Sequence, residues 1–438
     1  MIIYYLQVFK MKKLKIEIRE LGPIKNVTID LAPVMIFTGA SSLGKSYTNF
    51  LVYYVFNLFS GSRLRNFIIS KIGDESSINW NNFTFSFTEK ELVEWMEGDV
   101  KSFFIYLLNY PDIPCNVNFC FEHSADRFTV KVKKSKVDIN LADITPLSIS
   151  INDKSITVLS RTDNILVSIA RPIAKMIGKI IMDIDIKHSF LLPPGRASLL
   201  NESYTNQKNS SKTGMYDIFL SDFDFINFLY MQKSSMTHVV KEKGVDLSNA
   251  VEKIIDGTLV SDKDGLKLKI DEDVFVPLSA TASSIKELSP LILWAQTGIM
   301  NGSSMCIEEP EAHSHPDMQY DIADLLAGCI MNGAFMQMTT HSDYLLARLN
   351  WLMKMHDMKN NEPEHFTQAC VRCGANKELT LDKKLVKAYY FYKDLKTQCV
   401  CVEEQNVENG IPFTTFSKAV DKQLCWNEVF EDDKYEDL

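Results

Sequence analysis

One segment constrains this chain more than any other. Val34–Thr38 (VMIFT) is a short continuous apolar run, the pattern of a strand buried on both faces. It leads directly into Gly39-Ala-Ser-Ser-Leu-Gly-Lys-Ser46, which satisfies G-x-x-x-x-G-K-[ST] in full. From Ser46 to about Phe59 the spacing predicts a helix. The glycines let the backbone curl until successive N–H groups face one point. The helix N-terminus adds partial positive charge at that point. Such a cradle takes phosphate. Lys45 can reach β- and γ-phosphates, and the Ser46 hydroxyl can ligate Mg²⁺. The candidate contact residues are Gly39, Ala40, Ser41, Ser42, Leu43, Gly44, Lys45, Ser46 and Tyr47. A chance match in a strand–turn–helix is the bland alternative.

A second buried strand is expected at Ser304–Ile307, and acids follow it at once: Glu308-Glu309-Pro-Glu311. A carboxylate at such a strand end can hold Mg²⁺, and the next can orient or deprotonate an attacking water. Glu308 is assigned to the metal and Glu309 to the water; an ordinary charged turn is the other reading. Ala334–Thr339 is a further short apolar strand, followed by Thr340-His341-Ser342. His341 can sense a γ-phosphate through a hydrogen bond. His313 and His315 form one H-x-H with no third ligand at a clear spacing, a weak zinc signal. Cys370, Cys373, Cys399 and Cys401 are a candidate four-thiolate zinc set, with buried reduced cysteines as the default.

Composition bounds the rest. The 438 residues suggest two or three structural units, and 46% apolar with 11% aromatic residues excludes global disorder. A net charge of −9 argues against bulk-charge coating by nucleic acid. Lys131–Lys136 (KVKKSK) reads as a solvated turn before a DNA contact. Nine cysteines cannot all pair, and no secretory signal is legible, so reduced thiols and a cytoplasmic location are expected. Met1–Phe9 is apolar but too short to span a bilayer and lacks a cleavage site; Met11 is an alternative start, and no membrane partner is expected.

Leu14–Arg19 and Val27–Leu31 predict a hairpin. So do Cys115–Glu122 with Phe128–Val132, Ser148–Ile151 with Ile156–Leu159, and Gly257–Val276 about a turn at Lys263-Asp-Gly. Helices are expected at Glu89–Glu97, Val100–Tyr110, Ile165–Ile184, Asp217–Tyr230, Leu247–Ile255, Ile285–Ala295, Asp317–Gly328, Tyr344–His356 and Thr415–Leu424. Pro172 falls near the start of its helix, and Pro290 breaks or kinks another. Asn201–Thr213 reads as a polar loop, Lys359–Glu364 as a polar break and Glu431–Asp437 as an acidic tip. Ala388–Tyr392 and Gln398–Val402 read as strands. Strands alternate with helices at both ends, so an α/β core is expected, with a helical and antiparallel insertion between its halves.

Leu21-Gly-Pro-Ile-Lys25, GASSLGKS, IEEPEAHSHP and TTHSD, in that order, resemble the ABC-class ATPases of the OLD, RecF and SMC kind. More narrowly they resemble the bacterial AAA-family proteins often found in phage-defence operons. Leu192-Pro-Pro-Gly-Arg196 is similar to a Pro-x-x-Arg element of those proteins, and Gly257–Ile285 to their hairpin leading to a signature segment. The resemblance implies an ABC-type P-loop NTPase head: α/β, with a mixed sheet core, an antiparallel β subdomain and a helical insertion. Residues 1–74 would form the N-terminal half of the ATPase core with Walker A, and 75–190 the β subdomain and helical insertion. Residues 191–280 would carry further insertion and the hairpin, 281–360 the C-terminal half with signature, Walker B and H-loop, and 361–438 an α/β tail.

The resemblance also implies ATP and Mg²⁺ as cofactors and a homo-oligomer, a dimer of heads or higher. Each ATP would lie between the phosphate loop of one subunit and the signature of the other. The signature should fall at Ser279–Glu287, without the paired glycines of LSGGQ. There Ser283, Ser284 and Lys286 would meet the trans γ-phosphate at a helix N-terminus, a plain N-cap at either serine being equally open. Turnover would be slow or partner-stimulated. No glutamine lies between Gln7 and Gln207, so no Q-loop residue is assigned, and Glu308 stands where many relatives have Asp. The roughly 80 residues after Asn360 are too few for a TOPRIM nuclease. The resemblance thus implies an ATP-hydrolysing switch that controls a separately encoded effector such as a nuclease or toxin. In anti-phage defence, a phage trigger protein or DNA would set it off. A RecF-like DNA-repair ATPase and a non-hydrolysing scaffold are the rival readings.

Overall fold

The computed structural model describes residues 11, 14–61, 63–73, 78–122, 126–135, 144–161, 165–203, 213–235, 244–262, 265–373, 375–413, 417 and 420–425. The strands β1 (Leu14–Leu21) and β2 (Ile24–Asp30) form the expected hairpin. β3 (Val34–Gly39) is buried along its whole length and leads to α1 (Lys45–Phe59). There follow α2 (Leu64–Ile72), β4 (Asn82–Thr88), α3 (Glu89–Leu108), β5 (Cys115–Phe121), β6 (Arg127–Lys134), β7 (Ile144–Ile151), β8 (Lys154–Arg161) and α4 (Ile165–Met182). β9 (His188–Leu192), α5 (Arg196–Ser203), α6 (Gly214–Ser235) and α7 (Ser248–Ile255) precede a meander of β10 (Thr258–Asp262), β11 (Gly265–Asp271) and β12 (Val274–Pro277). Beyond it come α8 (Ser283–Thr297), β13 (Ser303–Glu308), α9 (Pro316–Met331), β14 (Phe335–Thr339), α10 (Asp343–Asn361), α11 (Pro363–Cys373), β15 (Val386–Lys393) and β16 (Val400–Gln405).

Nine strands form one mixed sheet in the order β5-β1-β2-β16-β15-β3-β14-β13-β9. Its centre, from β15 to β9, is parallel. The β1–β2 and β15–β16 hairpins and the β5–β1 pair are antiparallel. Two smaller antiparallel sheets, β4-β6-β7-β8 and β10-β11-β12, stand apart. The class is therefore the expected one: α/β, a mixed sheet core with an antiparallel subdomain. Side chains alternate across β3. Met35 and Phe37 enter one apolar core with residues of α1, α3 and α4, while Val34 and Ile36 enter another with residues of α8, α9 and α10. Helices thus cover both faces, which is why β3 reads as an unbroken apolar run.

Several expectations give way. β5 pairs with β1, and β6 with β4 and β7, so the two do not form a hairpin. Alternation names the buried face of a strand but not its neighbour; Val117 and Phe119 bury into the main core and carry β5 to that sheet's edge. Glu89–Leu108 is one helix, begun by a capping box of Thr88 and Glu91, and Gly98 does not break it. Gly257–Val276 yields three strands, with residues 263–264 of its turn outside the described residues. Pro172 sits inside α4 rather than near its start. α10 runs to Asn361 and α11 starts at Pro363, where proline suits a first turn. The segment expected as a tail places β15 directly beside β3. There Lys387 bridges Asp30 and Glu404, and the Tyr389 hydroxyl accepts from Asp30 N. Met1–Phe9, Lys136, residues 204–212, 415–416 and 418–419 and the acidic tip lie outside the described residues, while 417 and 420–424 are helical, as expected there. Among the described residues, no helix is long and apolar enough to cross a membrane.

Candidate functional site

Parallel strands leave their carboxyl ends at one edge of a sheet, where loops from distant parts of a chain converge. β3, β13 and β14 do so here. Glu308 is in register with Thr339, and Thr339 with Phe37. The residues beyond these ends line a cavity of about 370 Å³, with Ser41, Ser42, Gly44, Lys45, Ser46 and Tyr47 facing Glu309, Thr339 and His341. Gly39, Ala40 and Leu43 lie outside that lining.

Backbone geometry explains the loop. Gly39 has φ 122°, and a Cβ there would lie 2.1 Å from the Phe391 carbonyl oxygen on β15. Gly44, at φ 91°, opens α1 with no side-chain cap, which leaves first-turn N–H groups facing the loop. Lys45 is 6% exposed. Its Nζ donates to the Gly39 carbonyl at 3.0 Å and the Ala40 carbonyl at 2.7 Å. Burial lowers its pKa, with Glu309 and Glu308 pulling the other way.

Glu308 is held from three sides. Ser46 Oγ donates to its Oε2 at 2.5 Å, Asn49 Nδ2 to Oε1 at 2.7 Å and Thr339 Oγ1 to Oε2 at 3.1 Å. Burial to 2% exposure pushes its carboxyl pKa up against those hydrogen bonds. A hydroxyl and a carboxylate side by side are hard oxygen donors. Mg²⁺ is commonly held by one or two carboxylates, with waters and phosphates completing its octahedron. The residues therefore fit that ion. Among the described residues no group of three or more His, Cys, Asp or Glu side chains could hold a metal without other donors. The zinc readings fall with that. Cys370 is buried on α11 beside Met355 and Phe366, while Cys399 and Cys401 lie at the β15–β16 hairpin. His315 caps α9 by accepting from Asp317 N.

Glu309 has φ 44°, a left-handed conformation that costs a non-glycine residue about 1 kcal/mol or more. Its N–H donates to the Thr339 carbonyl at 3.1 Å, which fixes the turn. The exposed carboxylate then stands 3.9 Å from His341 Nε2. Burial and Lys45 lower the His341 pKa, so its ring is neutral near pH 7, where one nitrogen can donate and the other accept. Such a set can hold a polyphosphate, a hard cation and a polarised water together.

Sequence reasoning did not single out Asn49, Glu311 or Glu287. Asn49 lies three residues after Ser46, on the same helical face, and that spacing was the available signal. Glu311 Oε1 accepts from Thr340 Oγ1 and His341 N, both at 2.8 Å, tying the loop after β13 to the loop after β14. No local pattern announces that bond. Ser283, Ser284 and Lys286 do not line the cavity. They open α8, whose N-cap is Ala282 with no side-chain cap, so the plain N-cap reading of either serine is not what forms. Ser283 is exposed, and Ser284 and Lys286 are half-buried.

Strand order and phosphate loop together define an α/β P-loop fold. No family model matches the chain, and no curated protein matches it. Similar solved structures are SMC heads. The SMC head bound to the C-winged helix domain of ScpA is 12% identical, with 91% of this chain and 98% of that one covered and a TM-score of 0.37. An SMC head with an extended coiled coil, bound to the C-terminal domain of ScpA and derived from Pyrococcus furiosus, is 13% identical, with 94% and 98% covered and a TM-score of 0.36. The SMC head domain from Thermotoga maritima is 10% identical, with 91% and 99% covered and a TM-score of 0.35.

Proposed function

We propose that this chain is an ATP-binding and hydrolysing switch of the ABC type whose heads close face to face on ATP. The observation that carries the reading is the contact of Ser46 with Glu308 across 262 residues of chain, beside the cavity that Lys45 and Glu309 share. ATP enters as substrate, its phosphates against the N–H groups of the Ser41–Ser46 turn. Lys45 exchanges its two carbonyl bonds for β- and γ-phosphate oxygens, which return a counter-charge to a buried ammonium. Ser46 and Glu308 hold Mg²⁺, which when bound neutralises charge on the phosphates. Glu309 orients the attacking water and takes its proton as the water oxygen bonds to the γ-phosphorus and the bond to the β-phosphate oxygen breaks. His341 hydrogen-bonds the γ-phosphate.

Ser283, Ser284 and Lys286 supply the other half of the site to a second copy. Their position outside their own subunit's cavity and the uncapped start of α8 support this. Closure follows because the closed dimer alone makes those contacts. The ordered motifs support a finer reading: the switch controls a separately encoded nuclease or toxin in anti-phage defence. Phosphate release from Mg-ATP by the purified chain, with an ATP-dependent shift to dimer on a sizing column, is the test. A chain that neither binds ATP nor releases phosphate would refute the reading. Pull-down with and without ATP then tests for the effector.

A further inference from the structure

The start of α8 and the end of β13 are joined inside one subunit by a buried ion pair. Arg196 has no exposed surface and Glu287 is 1% exposed, with Nε 3.1 Å from Glu287 Oε2. Nη1 and Nε are also committed to backbone. Nη1 donates to the carbonyls of Glu308 at 2.7 Å, Pro193 at 2.9 Å and Leu192 at 3.3 Å, and Nε donates to that of Glu287 at 3.0 Å. Glu287 Oε1 in turn accepts from Ala197 N at 3.2 Å. Four segments therefore meet at one planar group: the end of β9, the start of α5, the first turns of α8 and the last residue of β13.

Stability does not account for such a pair. Taking both charges out of water is expensive, and apolar residues of the same volume commonly pack as well or better. The fork is also incomplete. Arg196 Nη2 and Glu287 Oε2 are both buried and neither has a hydrogen-bond partner. The two charges touch through Nε, whose hydrogen points at the Glu287 carbonyl instead. A small shift of the first turns of α8 against β13 would change which of these bonds are met. An element with two such arrangements is the physical requirement for coupling between sites.

We propose that Arg196 is a positioning residue that couples nucleotide at the Ser46–Glu308 end to the orientation of Ser283, Ser284 and Lys286 at the start of α8. The guanidinium grips the Glu308 carbonyl with one nitrogen and the backbone of α8 with another. Displacement at one end is thereby felt at the other. The coupling rests on the head-to-head reading above, and by linkage it runs both ways: a second copy docked on α8 tightens ATP binding in this subunit.

Two substitutions test it, each in a Glu309→Gln background that holds ATP unhydrolysed. Glu287→Gln keeps the shape and the Oε1 acceptor but removes the charge. Arg196→Lys keeps the charge and loses the fork. ATP affinity is measured on the full chain at high dilution, and dimer affinity with ATP and without nucleotide. ATP affinity of the dilute chain should stay within about twofold of the parent, while the gain in dimer affinity produced by ATP falls about tenfold or more, in the range of ordinary coupling energies. Variants that keep the parent's full gain overturn the coupling alone. Variants in which ATP affinity and dimer affinity fall together reveal a merely structural rivet and overturn it too. Should Arg196→Lys not fold, Glu287→Gln decides by itself. A parent that binds ATP but never dimerises refutes the head-to-head reading, and the coupling with it.

Discussion

Around Glu308 the carboxylate is answered on both oxygens by Ser46, Asn49 and Thr339, and Lys45 is satisfied by the carbonyls of its own loop. The start of α8 is the opposite. No side chain caps it, Ser283 is exposed, and none of its three polar candidates reaches the cavity. One region is satisfied within the chain; on the proposed reading the other presents donors to a second copy. A buried carboxylate cannot wait for a partner without paying desolvation, whereas an exposed hydroxyl such as that of Ser283 waits in water at little cost. If the site is shared as proposed, the difference teaches which half has to be built first.

Breaking the closed half should cost most. Replacing Glu309 with Gln should cut phosphate release about a hundred- to ten-thousand-fold, the range for a lost general base, with ATP affinity kept. Turnover at the parental rate would remove Glu309 from the chemistry. Lys45→Ala should weaken ATP binding about ten- to a hundredfold, the worth of a charged hydrogen bond. Unchanged affinity by titration calorimetry would be irreconcilable with the loop as a phosphate site. The open half should respond differently. Ser283→Ala with Ser284→Ala should leave ATP binding by the dilute chain intact and lower ATP-dependent dimer affinity about tenfold. Equal loss of both would erase the contrast between the regions.

The smallest effect on either end is expected from a carboxylate that belongs to neither. Asp222 on α6 accepts from Leu191 N at 2.8 Å, and burial pushes its pKa up to about 8. An unfolded aspartate titrates near about 4. Between those values the folded chain binds the extra proton, so stability falls as pH rises through the window. Asp222→Asn should remove that part of the slope in urea midpoints and leave ATP binding unchanged. Parent and variant with equal slopes would contradict the assignment.

Much of the site was legible because it is local. Gly39–Ser46 specify the loop by conformational freedom alone, and Glu308 and Glu309 follow their strand without interruption. The residues that escaped notice act across long separations. Glu311 reaches His341 over 30 positions, and Asn49 reaches Glu308 over 259. The pattern of β5 marks a strand but not its neighbour β1, and nothing local to β15 shows that it lies against β3 and dictates the glycine at position 39.

By itself the amino-acid sequence determined the elements, the apolar faces and the curled turn, since hydrophobic period and glycine conformation are properties of adjacent residues. Tertiary structure alone decided which strands lie side by side, that Glu308 is bonded while Glu309 turns outward, and that an arginine at the start of α5 holds α8 to β13. Hydrogen-bond partners and desolvation depend on what packs nearby, and a one-dimensional pattern carries no record of that.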